Sequence, residues 1–217
     1  MPEPRAFGVA ALTDRLPHGK WVVGRRCDDL DGRLGGRSPD VAWITTYNES
    51  MATTIRPATR EDIGEILNFI RALAVYEREP DAVRATEEEL LRHGFGETPY
   101  YACLLAETDG APAGFALYFF DYSTWLGKPG LYLEDLFVHP EFRGRGIGKA
   151  LLQRLAEIAL EKDCARMKWE VLDWNTPAIE FYTAMGAELQ KEWLNVRLSG
   201  EALQRLAGNT AKAVKAE

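Results

Sequence analysis

Three glycines at every second position, Gly144, Gly146 and Gly148, follow an apolar, β-prone run that ends at Val138, and the last of them lies within an amphipathic run that begins at Ile147. Few other arrangements narrow a fold so much. Glycine lets successive backbone N–H groups turn toward one point, and a helix N-terminus adds partial positive charge at that point. The helix dipole supplies about 0.3–1 kcal/mol, and each charge-assisted hydrogen bond roughly 1.5–3 kcal/mol. Backbone donors together with Arg143 and Arg145 therefore outweigh the dipole in holding an anion such as a diphosphate.

The spacing excludes two common phosphate cradles. A Walker A loop needs G-x-x-x-x-G-K-[ST]. Here Gly144 to Gly148-Lys149 is one residue short, and Ala150 cannot ligate magnesium. A dinucleotide fingerprint needs G-x-G-x-x-G with an acid about 20 residues on. Glu170 stands near that place, yet the loop reads G-x-G-x-G and follows a meander instead of opening a βαβ unit. On the residues alone, a glycine-rich turn with solvated arginines stays open.

The surrounding pattern alternates. Thr54–Arg56 reads as a short strand. Thr59 can cap a helix whose apolar stripe is Ile63, Ile66, Leu67, Ile70, Leu73 and Ala74. Thr86-x-x-Glu89 is a capping box opening a helix that stops at Gly94. Tyr100–Glu107 and Ala113–Asp121 are strands joined at Asp109-Gly110, a hairpin signal. Leu131–Val138 is a third long strand, ended by Pro140. Ile147–Lys162 is a helix with Ala150, Leu151, Leu155, Ile158 and Ala159 inward. Met167–Leu172 is a strand and Pro177–Met185 a helix, with Gly186 just past its end. Trp193–Leu198 is expected to close the sheet, and Glu201–Ala207 to form a last helix. The fold class is α/β: a mixed, mostly antiparallel sheet flanked by helices.

A net charge of −7 disfavours a broad nucleic-acid surface. Residues 1–50 hold seven basic and seven acidic side chains, so that charge belongs to residues 51–217. The first segment lacks periodicity and reads as a poorly ordered extension, or as sequence upstream of a start at Met51. The second, 51–217, reads as one domain. Cys27, Cys103 and Cys164 form no C-x-x-C pair and no metal-ligand spacing, which fits a reducing cytoplasm and no metal. No run is long enough to span a bilayer, so no membrane partner is expected.

Arg143-x-x-Gly146-x-Gly148 resembles the [QR]-x-x-G-x-[GA] motif with which the GNAT superfamily of N-acetyltransferases binds the pyrophosphate of acetyl-CoA. The likeness extends to Ile55-Arg56-Pro57-Ala58, Gly94-Phe95-Gly96, Leu131 to Val138, Asp173-Trp174-Asn175 and Phe181-Tyr182, which resemble its diamine (spermidine/spermine) acetyltransferase branch. Tyr122-Ser123-Thr124-Trp125, Val171 to Asn175 and Gly200-Glu201-Ala202 look closer to the thialysine enzymes. It covers residues 54 to about 207. Residues 1–50 have no counterpart in it.

The resemblance implies acetyl-CoA as cosubstrate, a small-molecule amine as acceptor and a homodimer. An alkylamine arrives charged, with a pKa near that of lysine, about 10.4, so the reaction needs a base. Glu134 is the matched candidate, with Asp135 on the opposite face if the strand is regular. Tyr182 is the matched general acid, since a phenol stays protonated at neutral pH. The N–H groups of Leu136, Phe137 and Val138 are the expected oxyanion and cofactor contacts. With them go Arg143, Gly144, Arg145, Gly146, Ile147, Gly148 and Lys149, then Asn175, Pro177 and Ala178. Tyr76, Glu77, Glu134, Asp135, Trp169, Glu170 and Glu192 match amine-side positions, where acids and aromatics suit an ammonium group. Without an activated cysteine, attack is direct in a ternary complex. Thr183-Ala184-Met185 replaces the basic residues that follow the tyrosine in the polyamine enzymes. Acetylation of protein or peptide amines, and a non-catalytic acyl-CoA sensor, are the alternatives.

Overall fold

The computed structural model describes residues 52–208. The expectation for residues 1–50, and Cys27 with it, lies outside them. Of these, residues 52–181 form one compact unit, and residues 182–208 a second, smaller one.

In the first unit, five strands lie side by side in chain order: β1 (Thr53–Pro57), β2 (Ala102–Thr108), β3 (Ala111–Ser123), β4 (Lys128–Val138) and β5 (Met167–Lys168). The first four pair antiparallel and β5 joins β4 in parallel. The sheet is thus mixed and mostly antiparallel, as the sequence predicts. Asp109 and Gly110, with φ of 51° and 78°, turn the β2–β3 hairpin in the doubly left-handed geometry that matches strand twist.

Helices α1 (Ile63–Tyr76) and α2 (Glu87–Phe95) cover one face. A 3-10 turn at Arg60–Asp62 precedes α1, and its Asp62 carboxylate accepts from the Thr59 N–H at 2.7 Å. The Thr86–Glu89 capping box opens α2, which runs past Gly94 to Phe95. The core under this face joins Ile63, Ile66, Leu67, Phe69 and Leu73 to Cys103, Leu105, Phe115, Leu117 and Phe137. Phe69, outside the expected stripe, is fully buried and stacks on Phe115 at 5.2 Å, whereas Ile70 is only half-buried. Helix α3 (Ile147–Glu161) buries Leu151, Leu155, Ile158 and Ala159 against the sheet.

Two expected strands differ. Met167–Leu172 contributes only Met167 and Lys168, which pair with Leu131 and Tyr132 before the ladder ends. Trp193–Leu198 forms no strand and the sheet stops at β5. β-Propensity does not make a strand without a ladder partner and a buried face. Trp193, Leu194 and Val196 are exposed. Helix α4 (Thr176–Ala184) runs from the first unit into the second, and α5 (Gly200–Leu206) lies in the second.

Candidate active site

The site is built around an irregularity in β4. Tyr118 lies opposite Leu133 and Leu117 lies opposite Asp135, so Glu134 is the extra residue of a β-bulge. A bulge sets two residues against one and breaks the strict alternation of faces. Leu117 and Phe137 belong to the core beneath α1, so Asp135 faces that helix too. Counting from Leu133, Glu134 turns to the same side. The expectation of opposite faces assumed a regular strand and is corrected here.

Four carboxylates then act on one another in a chain, Glu77 and Glu134 on Asp135 and Glu170 on Glu134. Asp135 is buried, and burial, then the charges of Glu134 and Glu77, push its pKa up to about 8. Burial raises Glu134 as well, and Glu170 adds to the rise. Glu77, at the C-terminus of α1, is itself buried. The Tyr132 hydroxyl donates to Glu170 Oε1 at 3.1 Å, tying the segment after β5 to β4. A cluster of like charges is costly without cations and ready to receive one.

The end of α1 brings aromatic groups to the same place. The Tyr76 hydroxyl donates to Asn175 Oδ1 at 3.4 Å, and the Tyr76 and Trp174 rings lie 6.1 Å apart. Asn175 Oδ1 also accepts from the Ala178 N–H at 3.4 Å, which makes it the N-cap of α4. Pro177, in the first turn of that helix, has no N–H to satisfy. Arg78 closes α1 in a Schellman motif, with its N–H on Val75 O at 3.2 Å and the Glu79 N–H on Ala74 O at 2.9 Å. Glycine usually holds that position, yet Arg78 adopts a φ of 67° at a cost of about 1–2 kcal/mol. Its guanidinium carbon sits 4.5 Å over the Trp174 ring.

Beyond the bulge, β4 loses its neighbour because β5 pairs only at Leu131 and Tyr132. The His139 N–H donates to Ala113 O at 2.9 Å, so by antiparallel alternation the N–H of Phe137 also points to β3. The N–H groups of Leu136 and Val138 point to the open edge. Of the three expected oxyanion donors, Phe137 is thus engaged by the sheet.

The open edge leads into the glycine loop. Gly144 and Gly146 take φ of 75° and 79°, and Gly146 is the N-cap of α3 with no side-chain cap. The first helical bond there is Ala150 N–H to Gly146 O at 3.0 Å, which leaves the earlier N–H groups of the turn without intrahelical partners. Arg143, next to the loop, is held by contacts within the protein. Its N–H bonds Pro140 O at 3.2 Å and its Nε bonds Val138 O at 2.9 Å. The guanidinium carbon lies 5.0 Å from the Tyr76 ring centre and 5.6 Å from that of Phe137. Arg145 bonds Glu141 O at 3.1 Å. The loop therefore presents backbone N–H groups at the start of α3, with Lys149 exposed on the first turn.

The first unit thus gathers Tyr76, Glu77, Glu134, Asp135, Glu170, Asn175 and Ala178 around β4. Trp169 lies one residue past β5 and is half-buried. Tyr182, buried, and Glu192, exposed, belong to the second unit. Sequence reasoning did not single out Tyr132, Trp174 or Arg78 as site residues. The hint for Arg78 was its place directly after Tyr76-Glu77. Among the described residues no group of three or more His, Cys, Asp or Glu is placed to hold a metal ion. None of their helices is long and apolar enough to cross a membrane.

Known proteins are similar to this chain. Residues 62–187 match the family model "Acetyltransferase (GNAT) family". The thialysine N-epsilon-acetyltransferase of Bos taurus is 47% identical over 165 residues, covering 71% of this chain and 96% of that protein. A spermidine/spermine N(1)-acetyltransferase-like protein of Homo sapiens is 40% identical over 163 residues, covering 70% of this chain but 23% of that protein. Among solved structures, an integron cassette protein from the mobile metagenome of V. cholerae superposes with a TM-score of 0.62 at 28% identity, covering 72% of this chain and 98% of that one. The family model spans more than half of the chain, and the chain belongs to the acetyltransferase (GNAT) family.

Proposed function

We propose that the protein is an acetyl-CoA-dependent N-acetyltransferase acting on a primary amine of a small diamine, polyamine or thialysine-like substrate, by direct attack in a ternary complex. The observation that carries this reading is the Glu134 bulge, which sets a carboxylate cluster beside the open edge of β4 that runs into the glycine loop.

The residues fit acetyl-CoA. The uncapped start of α3 suits a pyrophosphate, and the buried Asn175 Nδ2, which has no hydrogen-bond partner among the described residues, suits an amide carbonyl of the pantetheine arm. Bound there, acetyl-CoA supplies an activated acyl group as a thioester. Glu77 and Glu170 attract the ammonium group, Asp135, held neutral by burial, accepts a hydrogen bond from it, and Glu134 takes its proton, directly or through a water. The Leu136 and Val138 N–H groups receive the negative charge that develops on the carbonyl oxygen. Tyr182, proposed from the resemblance of Phe181-Tyr182 to the family pattern, is the acid for the departing thiolate. A cytoplasmic homodimer completes the proposal, resting on the resemblance and on cysteine usage.

The test is thiol release from acetyl-CoA against putrescine, spermidine, spermine, thialysine, lysine and a basic peptide. Turnover of free amines is expected. Turnover of the peptide alone would move the reading to protein amines, and measurable CoA binding without any turnover would make the protein a sensor.

A further inference from the structure

The turn that closes α1 carries a cation that the chemistry above does not use. Arg78 holds the left-handed position of the Schellman motif, where glycine would be free of strain. Backbone strain of this kind persists where the surroundings fix it, and it clusters at ligand sites. Here the Trp174 ring fixes it, with the guanidinium carbon 4.5 Å above the ring centre. Trp174 is 39% exposed, and its ring neighbours Tyr76, whose hydroxyl reaches Asn175. Arg78 makes no ion pair or hydrogen bond from its side chain among the described residues, so its donor fork stays available. The preceding residue, Glu77, faces Asp135 in the carboxylate cluster.

A substrate that places its reacting ammonium group among Glu77, Asp135 and Glu134 therefore meets a fixed positive charge on the Trp174 side. A polyamine brings a second cation toward that charge, whereas a basic amino acid can bring a carboxylate. A planar guanidinium matches a carboxylate with two parallel hydrogen bonds. Stacked on an indole, it also loses little freedom on binding. We infer that Arg78 is the specificity-determining residue of this enzyme, anchoring the α-carboxylate of basic amino acids and selecting them over amines that lack it. This rests on the proposed small-amine function and names the substrate class for that site.

Lysine and cadaverine differ only by the carboxylate, as do ornithine and putrescine, so kcat/KM ratios within each pair isolate the group in question. The full chain is expected to prefer the amino acid of each pair. In Arg78→Gly and Arg78→Glu the ratio should fall at least about tenfold, while Arg78→Lys keeps part of it. Glycine fits a φ of 67° better than arginine does, so a folding defect cannot account for the Arg78→Gly result. A ratio unchanged in both Arg78→Gly and Arg78→Glu, or a full chain that prefers the diamines, overturns the inference. Failure of the small-amine reading is distinguishable, because the full chain would then turn over neither member of either pair.

Discussion

The Nε of Arg143 donates to the carbonyl of Val138 at 2.9 Å, and its guanidinium lies over the ring of Tyr76. This joins the open edge of β4 to the end of α1 through a planar, directional group. Arg143→Lys keeps the charge and loses both the Nε donor and the flat stacking surface. It should lower kcat/KM by about tenfold, and Arg143→Gln by a similar factor. Steady-state kinetics check this. Near-full activity in the lysine variant would mean that only the charge matters, as for a phosphate contact.

Asp135 gives a stability prediction with a defined sign. Burial and the neighbouring acids raise its pKa to about 8, well above the unfolded value. Below about pH 4 both states are protonated and the group is neutral in effect. As pH rises toward 8 the unfolded state ionises first, so native stability is lost across that window. Asp135→Asn should therefore be more stable than the parent at pH 7, by about 1–3 kcal/mol, with the gain shrinking toward pH 4. Thermal melts across pH measure it. Equal melting temperatures at pH 7 would show that Asp135 carries no such cost.

For Glu134, burial is the larger cause of the raised pKa and Glu170 the smaller. A base must be ionised to act, so the acid limb of kcat/KM should lie above the ordinary carboxylate range. Glu170→Gln removes the like charge and should move that limb to lower pH by roughly 0.3–1 unit. A limb that stays in place would remove Glu134 as the titrating base or Glu170 as its neighbour.

Tyr182→Phe tests the acid role. Loss of a positioned general acid costs about 10²–10⁴-fold in kcat, whereas ground-state binding of CoA should change by less than about twofold. Kinetics and calorimetry on the same preparation separate the two. Unchanged turnover would exclude Tyr182 from proton transfer.

Local rules made much of the fold legible. The Thr86–Glu89 capping box and the Asp109-Gly110 turn are set by neighbours within a few residues, and both stand where the sequence puts them. The glycine loop was readable because Gly144 and Gly146 need a left-handed backbone that few other residues adopt. The absence of a strand at Trp193–Leu198 was not legible, because strand propensity carries no information about whether a ladder partner is present.

The sequence by itself determined the residue types, the order of most of the elements and a glycine loop at the start of α3. Only the tertiary structure decided that Glu134 and Asp135 share a face, because a bulge is a mismatch between two strands and leaves no mark on one. It also decided that Arg143 turns back onto Val138 and that Arg78 caps Trp174, contacts between groups 5 and 96 positions apart. Pairings over such separations depend on how the chain packs, and local propensity does not encode them.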